Sequence, residues 1–398
     1  MKKKIFFIIA FVLVIGIIFF LTQDTIIKKE LFKIWNPTTT KEEKKPKTKE
    51  EKIQDEEIAS SIFQDSYNKA RETVEKMSLE EKIGQLFLVR YDKNEVQNQK
   101  DYYPGGYILF AKDFENHTKE TIKKELENDQ KINKYPLILG VDEEGGYVTR
   151  VSRFKAFRNE KFLSPKYYYD TGKEALLEET EKEKLTLLKE IGINLNLAPV
   201  ADVSTNPEDF MYIRTFGRNA QETSYLIQKM VEYANETQIN SCLKHFPGYG
   251  NNVDTHTGIA IDERSYESFL ENDFLPFEAG IKAGVPSILV SHNIVKSMDE
   301  NYPASISEKV ISELRNTLKF TGIIMTDDLA MDAVKSYVEN NEAATLAINA
   351  GNDMIITSDF IGMYEEIMNS VKEGKIKEET INKAVLRIIA WKYTSNLF

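Results

Sequence analysis

The chain has one cysteine, Cys242, and four histidines in 398 residues. A single thiol excludes an intrachain disulfide framework and a cysteine-based zinc site, and Cys242 reads as a small buried hydrophobe. No His-x-x-x-His or His-Glu pairing occurs at ligand spacing, so neither a metal nor any other cofactor is expected. Basic charge is scarce: 52 Lys and Arg face 63 Asp and Glu, a net charge of -11. That balance argues against a phosphate-binding surface, and hence against nucleic acid as a partner. Also missing are a Gly-x-Ser-x-Gly nucleophile elbow, a phosphate-binding glycine turn after the first apolar run, and an internal repeat.

One long hydrophobic run is present, at the N-terminus. Lys2-Lys3-Lys4 precede an unbroken apolar stretch from Ile5 to Leu21. Seventeen residues at helical rise reach about 26 Å, near the lower limit for spanning a bilayer. No small-x-small cleavage site and no lipidation cysteine follow at Thr22-Gln23-Asp24. Residues 1–21 are therefore predicted to be an uncleaved signal-anchor, with the basic end cytoplasmic and the remainder outside the membrane. A cleaved signal peptide, giving a secreted form, is the alternative. Residues 22–57 are a charged linker, almost all Lys, Glu, Thr and Pro over Lys41–Glu57, too polar to bury a core. Residues 58–398 form the globular domain.

Within that domain, short apolar, β-branched runs alternate with amphipathic stretches. The runs are Leu86–Val89, Gly106–Phe110, Leu137–Val141, Ile193–Leu197, Ser241–Leu243, Ser287–Val290, Gly322–Met325 and Met354–Ile356. The stretches include Lys173–Glu190, Thr223–Asn235, Tyr266–Ala283, Ser307–Leu318 and Asn341–Ala350, and Ser78-Leu-Glu-Glu81 fits a capping box that starts a helix. Strand-then-helix alternation implies parallel strands. Eight units predict an α/β fold, a single (β/α)8 TIM-type barrel. Polar residues cluster just after the apolar ones, at Asp142-Glu143-Glu144, Asp202, Lys244-His245, Ser291-His292-Asn293 and Thr326-Asp327-Asp328. Barrel enzymes keep their active sites at that end of the strands.

The segment Cys242–Ile259 carries two of the four histidines on a loop made pliable by Gly248, Gly250 and Gly258. In an extended Asp254-x-His256 the two side chains point the same way, so Asp254 can hold one ring nitrogen of His256 and stabilise the imidazolium. A supported His on such a loop suits an acid/base. At Thr326-Asp327-Asp328 the pleat separates the two acids: one can face a substrate as nucleophile while the other caps the next helix. Asp142 beside Gly145-Gly146 can accept hydrogen bonds from neighbouring hydroxyls, and Arg150 and Arg214 can donate to the same ligand. Lys244 and His245 are adjacent and end a strand. His292 supports the floor of such a site, and His117 reads as surface. A carboxylate nucleophile, a His-Asp acid/base and hydroxyl-binding side chains match double-displacement glycoside cleavage.

With these residues in place the sequence resembles glycoside hydrolase family 3, in its bacterial β-N-acetylglucosaminidase (β-hexosaminidase) branch. The resemblance covers roughly Ile58 to Phe398. It rests on Met77-Ser-Leu-Glu-Glu-Lys-Ile-Gly-Gln85, Asp142-x-Glu-Gly-Gly, Asn196-Leu-Ala-Pro-Val-x-Asp202-Val, Arg214-Thr-Phe-Gly, Lys244-His-Phe-Pro-Gly, Asp254-x-His256 and Thr326-Asp327-Asp328-Leu, in that order. It implies Asp327 as nucleophile, His256 as acid/base with Asp254 as its partner, and Asp142, Arg150, Arg214, Lys244 and His245 as ligands of the terminal sugar. The family's β-glucosidases usually draw a Glu acid/base from a second domain, which a chain ending at Phe398 is expected to lack. Three positions depart from the family pattern: Tyr147 after Gly145-Gly146, Tyr249 between Gly248 and Gly250, and Asn219-Ala220 after the Arg214 motif.

The expected activity is that of a retaining exo-β-N-acetylglucosaminidase acting on peptidoglycan-derived fragments. The expected protein is a monomer, held to the membrane by its N-terminal helix. A β-glucosidase or β-xylosidase of the same fold, a non-catalytic glycan-binding protein of the cell envelope, and a Schiff-base aldolase using Lys244 are the rival readings. Water or phosphate as the second-step acceptor is left open.

Overall fold

A computed structural model describes residues 60–250 and 260–398, apart from 332, 333, 335, 336 and 339–341. Eight of its strands form one parallel sheet: β1 (Phe87–Arg90), β2 (Gly106–Leu109), β3 (Ile138–Val141), β4 (Leu195–Asn196), β5 (Asn240–Phe246), β7 (Ser287–Val290), β9 (Ile323–Thr326) and β10 (Ile355–Thr357). They pair in chain order, and β10 returns to β1 through Phe87↔Ile355 and Leu88↔Ile356. Between β9 and β10 the Met325↔Met354 bridge and the Thr326 N–H to Met354 carbonyl bond complete the ring. The barrel is thus closed or nearly so, with helices outside it. Two further strands, β6 (Ile261–Asp262) and β8 (Ile294–Val295), pair with each other beyond the C-terminal end of β7.

All eight predicted strands are present, shifted by a residue or so at most ends. The main difference is β5, which continues through Lys244 and His245 to Phe246. An apolar pattern stops at Lys244, because a buried ammonium is costly unless it is paired. Here carboxylates from neighbouring strand ends pair it, so the strand runs on. Phe246 then packs face-on against Phe274 at 5.3 Å and edge-on against Phe277 at 5.2 Å. Each such pair contributes about 1 kcal/mol beyond area burial.

The helices follow the predicted stretches with local breaks. Ser78 caps Leu79–Gln85 with the full capping box to Glu81. The helix expected from Lys173 begins earlier, at Pro165 behind the Ser164 cap, and kinks where Lys173 takes φ 58°. The predicted Tyr266–Ala283 helix is interrupted by a π turn, Phe269–Asp273, and Ser307–Leu318 by another, Glu313–Thr317. Periodicity does not register such one-residue insertions. Cys242 is fully buried and its thiol is pushed up to about 12 by that burial, as befits a core residue.

Among the described residues no helix is long and apolar enough to cross a membrane. The expected anchor, Ile5–Leu21, and the linker lie outside the described residues.

Candidate active site

The C-terminal ends of the strands surround a pocket of about 310 Å³. Asp142, Arg150, Arg214, Lys244, His245 and Asp327 all line it. Six of the eight residues singled out from sequence are thus brought together from four different strand ends and the loops that follow. Asp254 and His256 lie outside the described residues.

The polar wall is a chain of alternating charge. The Lys244 Nζ donates to Asp142 Oδ1 at 2.6 Å and to Glu144 Oε1 at 2.7 Å. Glu144 in turn accepts two bonds from the Arg214 guanidinium, at 2.7 and 3.0 Å. Arg214 Nη2 also stands 3.2 Å from His245 Nε2, and His245 Nδ1 lies 2.8 Å from Asp202 Oδ2. Burial opposes ionisation of Glu144, but the Lys244 and Arg214 cations outweigh it and hold the carboxyl below its usual range. Burial likewise works against the Lys244 ammonium, and Asp142 with Glu144 reverses the balance, so its pKa is raised. His245 is pushed the other way. Desolvation outweighs Asp202, with Arg214 and Lys244 adding to it, so the ring's pKa falls below its ordinary value of 6.5. A neutral ring with its proton on Nδ1 fits this network: it donates to Asp202 and accepts from Arg214.

Two residues that the sequence reading passed over as ligands matter here. Glu144 is the acid shared by Lys244 and Arg214, and the Asp142-x-Glu-Gly-Gly motif was the signal for it. Asp202, fully buried, holds both the His245 ring and the Tyr249 backbone N–H. Glu143, between the two pocket acids, is a staple. Its carboxylate accepts from the backbone N–H groups of Arg150, Val151 and Ser152 and from the Ser152 hydroxyl. It thereby fixes the loop that carries Arg150, whose Nη2 is 4.0 Å from Asp142 Oδ2.

The two adjacent acids after β9 both border the pocket and differ in their contacts. Asp328 accepts from the backbone N–H groups of Ala330 and Ser358, a turn-capping role. Asp327 lines the pocket, and its Oδ1 accepts from the Asp328 N–H at 2.9 Å. His292, fully buried, lies under this turn with Nε2 3.0 Å from the Asp328 carbonyl oxygen and Nδ1 2.7 Å from the Ser305 hydroxyl. It supports the floor and does not line the pocket. Phe110, Leu289 and Ile356 give the cavity apolar wall, and Tyr147 and Phe210 stand at its rim.

Such a wall can bind a polyhydroxylated ligand. Asp142 commits one oxygen to Lys244 and keeps acceptor capacity for hydroxyls, while the Lys and Arg groups supply donors. Asp327 lines the same cavity.

Known proteins are similar to this chain over most of the described residues. Residues 78–391 match the model of the glycosyl hydrolase family 3 N terminal domain. A β-hexosaminidase of Nitrosomonas eutropha is 30% identical over 275 residues, covering 67% of this chain and 77% of that protein. Beta-hexosaminidase A of Pseudoalteromonas piscicida is 27% identical over 315 residues, which cover 72% of this chain but only 53%, about half, of that protein. Among solved structures, a family 3 β-N-acetylglucosaminidase from Paenibacillus sp. superposes with a TM-score of 0.74 at 25% identity, over 81% of this chain and 63% of that one. A β-N-acetylhexosaminidase from Beutenbergia cavernae shares the fold, with a TM-score of 0.71 at 24% identity, over 80% of this chain and 99% of that one. The chain belongs to glycosyl hydrolase family 3.

Proposed function

We propose that the protein is a retaining exo-β-N-acetylglucosaminidase that removes terminal non-reducing GlcNAc from peptidoglycan-derived fragments. β-Hexosaminidase activity rests on the family and on the relatives that carry that name. The observation that carries the finer reading is the position of Asp327 in one small cavity with the Asp142–Lys244–Glu144–Arg214 chain. A pocket of about 310 Å³ lies at the small end for ligand sites, which favours one terminal sugar over a threaded chain.

In this mechanism an Asp327 oxygen attacks the anomeric carbon as the glycosidic C–O bond breaks. His256, steadied by Asp254, gives its proton to the departing oxygen. Water then loses a proton to the neutral His256 and attacks the same carbon, which frees Asp327 and releases the sugar with its starting configuration. The wall residues hold the sugar hydroxyls throughout and fix the ring for in-line attack. Residues 1–21 as an anchor and 22–57 as a spacer would display the barrel outside the membrane, near cell-wall fragments.

The test is release of nitrophenol from 4-nitrophenyl N-acetyl-β-glucosaminide and from the matching β-glucoside, with Asp327→Ala as control. Selective cleavage of the N-acetyl sugar, absent in Asp327→Ala, is expected. Preference for the glucoside would move the specificity to another member activity of the family. A folded wild-type protein that cleaves neither would leave a glycan-binding role.

A further inference from the structure

Residues 251–259 are flanked in the chain by two roots: Gly248–Gly250, which follow β5, and Asp262–Arg264, at the end of β6. One side chain touches both. Arg264 Nη2 donates to the Gly248 carbonyl at 3.2 Å on the outgoing root. On the incoming root its Nε and Nη2 grip the Asp262 carboxylate at 2.7 to 3.0 Å. Its third arm, Nη1, reaches Asp273 Oδ2 at 2.7 Å, on the π turn behind the loop. The guanidinium lies 4.3 Å from the centre of the Phe269 ring, on that same turn.

The outgoing root is shaped to this hub. A Cβ on Gly250 would stand 2.5 Å from Arg264 Cζ, so the bare backbone lies against the guanidinium plane. A Cβ on Gly248 would stand 2.3 Å from Asp273 Oδ1. Both glycines have positive φ, 123° and 56°. Between them the Tyr249 N–H donates to Asp202, the acid that also holds the His245 ring in the pocket. Both acids of the hub are buried, Asp262 at 1% and Asp273 at 2% exposure. Arg264 does not line the pocket. A guanidinium committed to three partners in a planar fork is a geometric clamp, not only a charge.

We propose that Arg264 is a positioning residue for proton transfer: by tying the two roots of segment 251–259 to each other, it sets where His256 is delivered to the glycosidic oxygen. The inference rests on the reading of His256 as the acid. It assigns Arg264 no contact with substrate and gives Gly250 the task of letting the backbone lie flat on the clamp. Two acids sharing one guanidinium leave the hub acid-rich, and burial pushes the Asp273 carboxyl up to about 6. Arg264 is thus the group that keeps these carboxylates, and the root they hold, in one arrangement.

The experiment compares two substrates in the full chain. A nitrophenyl N-acetyl-β-glucosaminide needs little help with its leaving group, whereas the methyl glycoside needs a full proton. General-acid assistance is worth roughly 100-fold or more. Arg264→Ala is expected to lower kcat/KM, which reports departure of the leaving group, by about 10- to 100-fold on the methyl glycoside and by less than about 5-fold on the nitrophenyl glycoside. Arg264→Lys keeps the charge without the fork and is expected to recover only part of the loss. Gly250→Ala removes no charge and lifts the root from the guanidinium. It is expected to show the same leaving-group dependence, and it serves as the test if Arg264→Ala does not fold. His256→Ala is run alongside. If it shows leaving-group dependence and the Arg264 and Gly250 variants, folded, do not, the clamp proposal falls while the acid assignment stands. If His256→Ala shows none, both fall together.

Discussion

At the mouth of the barrel two cations, Lys244 and Arg214, share the carboxylate of Glu144; at the floor two cations, Arg315 and Arg387, share that of Asp353. The motifs look alike and their surroundings differ. Both Asp353 oxygens are taken within the protein, one by Arg387 and the other by Arg315 and the Ile324 N–H. This ties the last helix, the preceding helical turn and the start of β9 together. At the mouth the same alternation of charge runs along the wall of a cavity that Asp142 and Asp327 also line. Buried ion pairs gain little net stability, because desolvation offsets most of the attraction. The floor cluster therefore fixes how these elements meet more than it stabilises them, while the mouth cluster lines a cavity. One more buried cation completes the contrast. Lys392 is fully buried at the floor, with Gln85 Oε1 at 2.6 Å as its hydrogen-bond partner and no carboxylate within ion-pair reach among the described residues.

Substitutions can break this contrast from either side. The largest effect is expected for Glu144→Gln, which leaves Lys244 and Arg214 without their common charge. It should lower kcat/KM on the nitrophenyl substrate by about 100-fold or more, close to 3 kcal/mol, read by steady-state kinetics. Asp353→Asn should do the reverse. Urea unfolding should show a loss of about 3 kcal/mol, while kcat per folded molecule stays near wild type.

Lys392→Met should stabilise the protein, and its pH dependence gives the sign. Burial depresses the ammonium to about 7 from an ordinary 10.5. Between those values the unfolded chain binds the proton and the folded one does not, so stability rises with pH there. The cost of the buried amine is complete at and below pH 7 and fades toward pH 10. The gain from Met, measured as a Tm or urea midpoint shift, should be about 2 kcal/mol at pH 7 and vanish near pH 10. A gain independent of pH would mean that shape, not charge, limits this site. The smallest effect is expected at the pocket rim. Tyr147, 76% exposed, is held on the Gly145-Gly146 turn. Tyr147→Ala should raise KM for a GlcNAc disaccharide a few-fold, about 1 kcal/mol, and leave folding untouched.

The barrel was legible in the sequence because strands buried on both faces read as short apolar runs, and polar residues gathered at one end of each. What the pattern could not show depends on contacts between distant residues. The extension of β5 required Asp142 and Glu144 to pair Lys244. Three consecutive acids, Asp142, Glu143 and Glu144, carry no mark telling ligand from staple; only the fold assigns Glu143 to the 150–152 backbone. The Arg264 clamp joins Gly248, Asp262 and Asp273, which no spacing rule connects. The π turn that places Asp273 and Phe269 beside it is silent in helical periodicity. At Asp327 and Asp328 the pleat left the roles open and both residues border the cavity; the contacts of Asp328 with the Ala330 and Ser358 N–H groups assign it the capping role.

The most direct test of Asp327 as nucleophile is covalent trapping. The full-length protein is incubated with a fluorinated N-acetylglucosaminyl fluoride, which forms a glycosyl-enzyme faster than the adduct hydrolyses. It is then digested and analysed by mass spectrometry. A single added sugar on the peptide containing Asp327, absent from Asp327→Ala, is the expected result. An adduct on another carboxylate, or none on a protein that turns over the nitrophenyl substrate, would contradict the assignment.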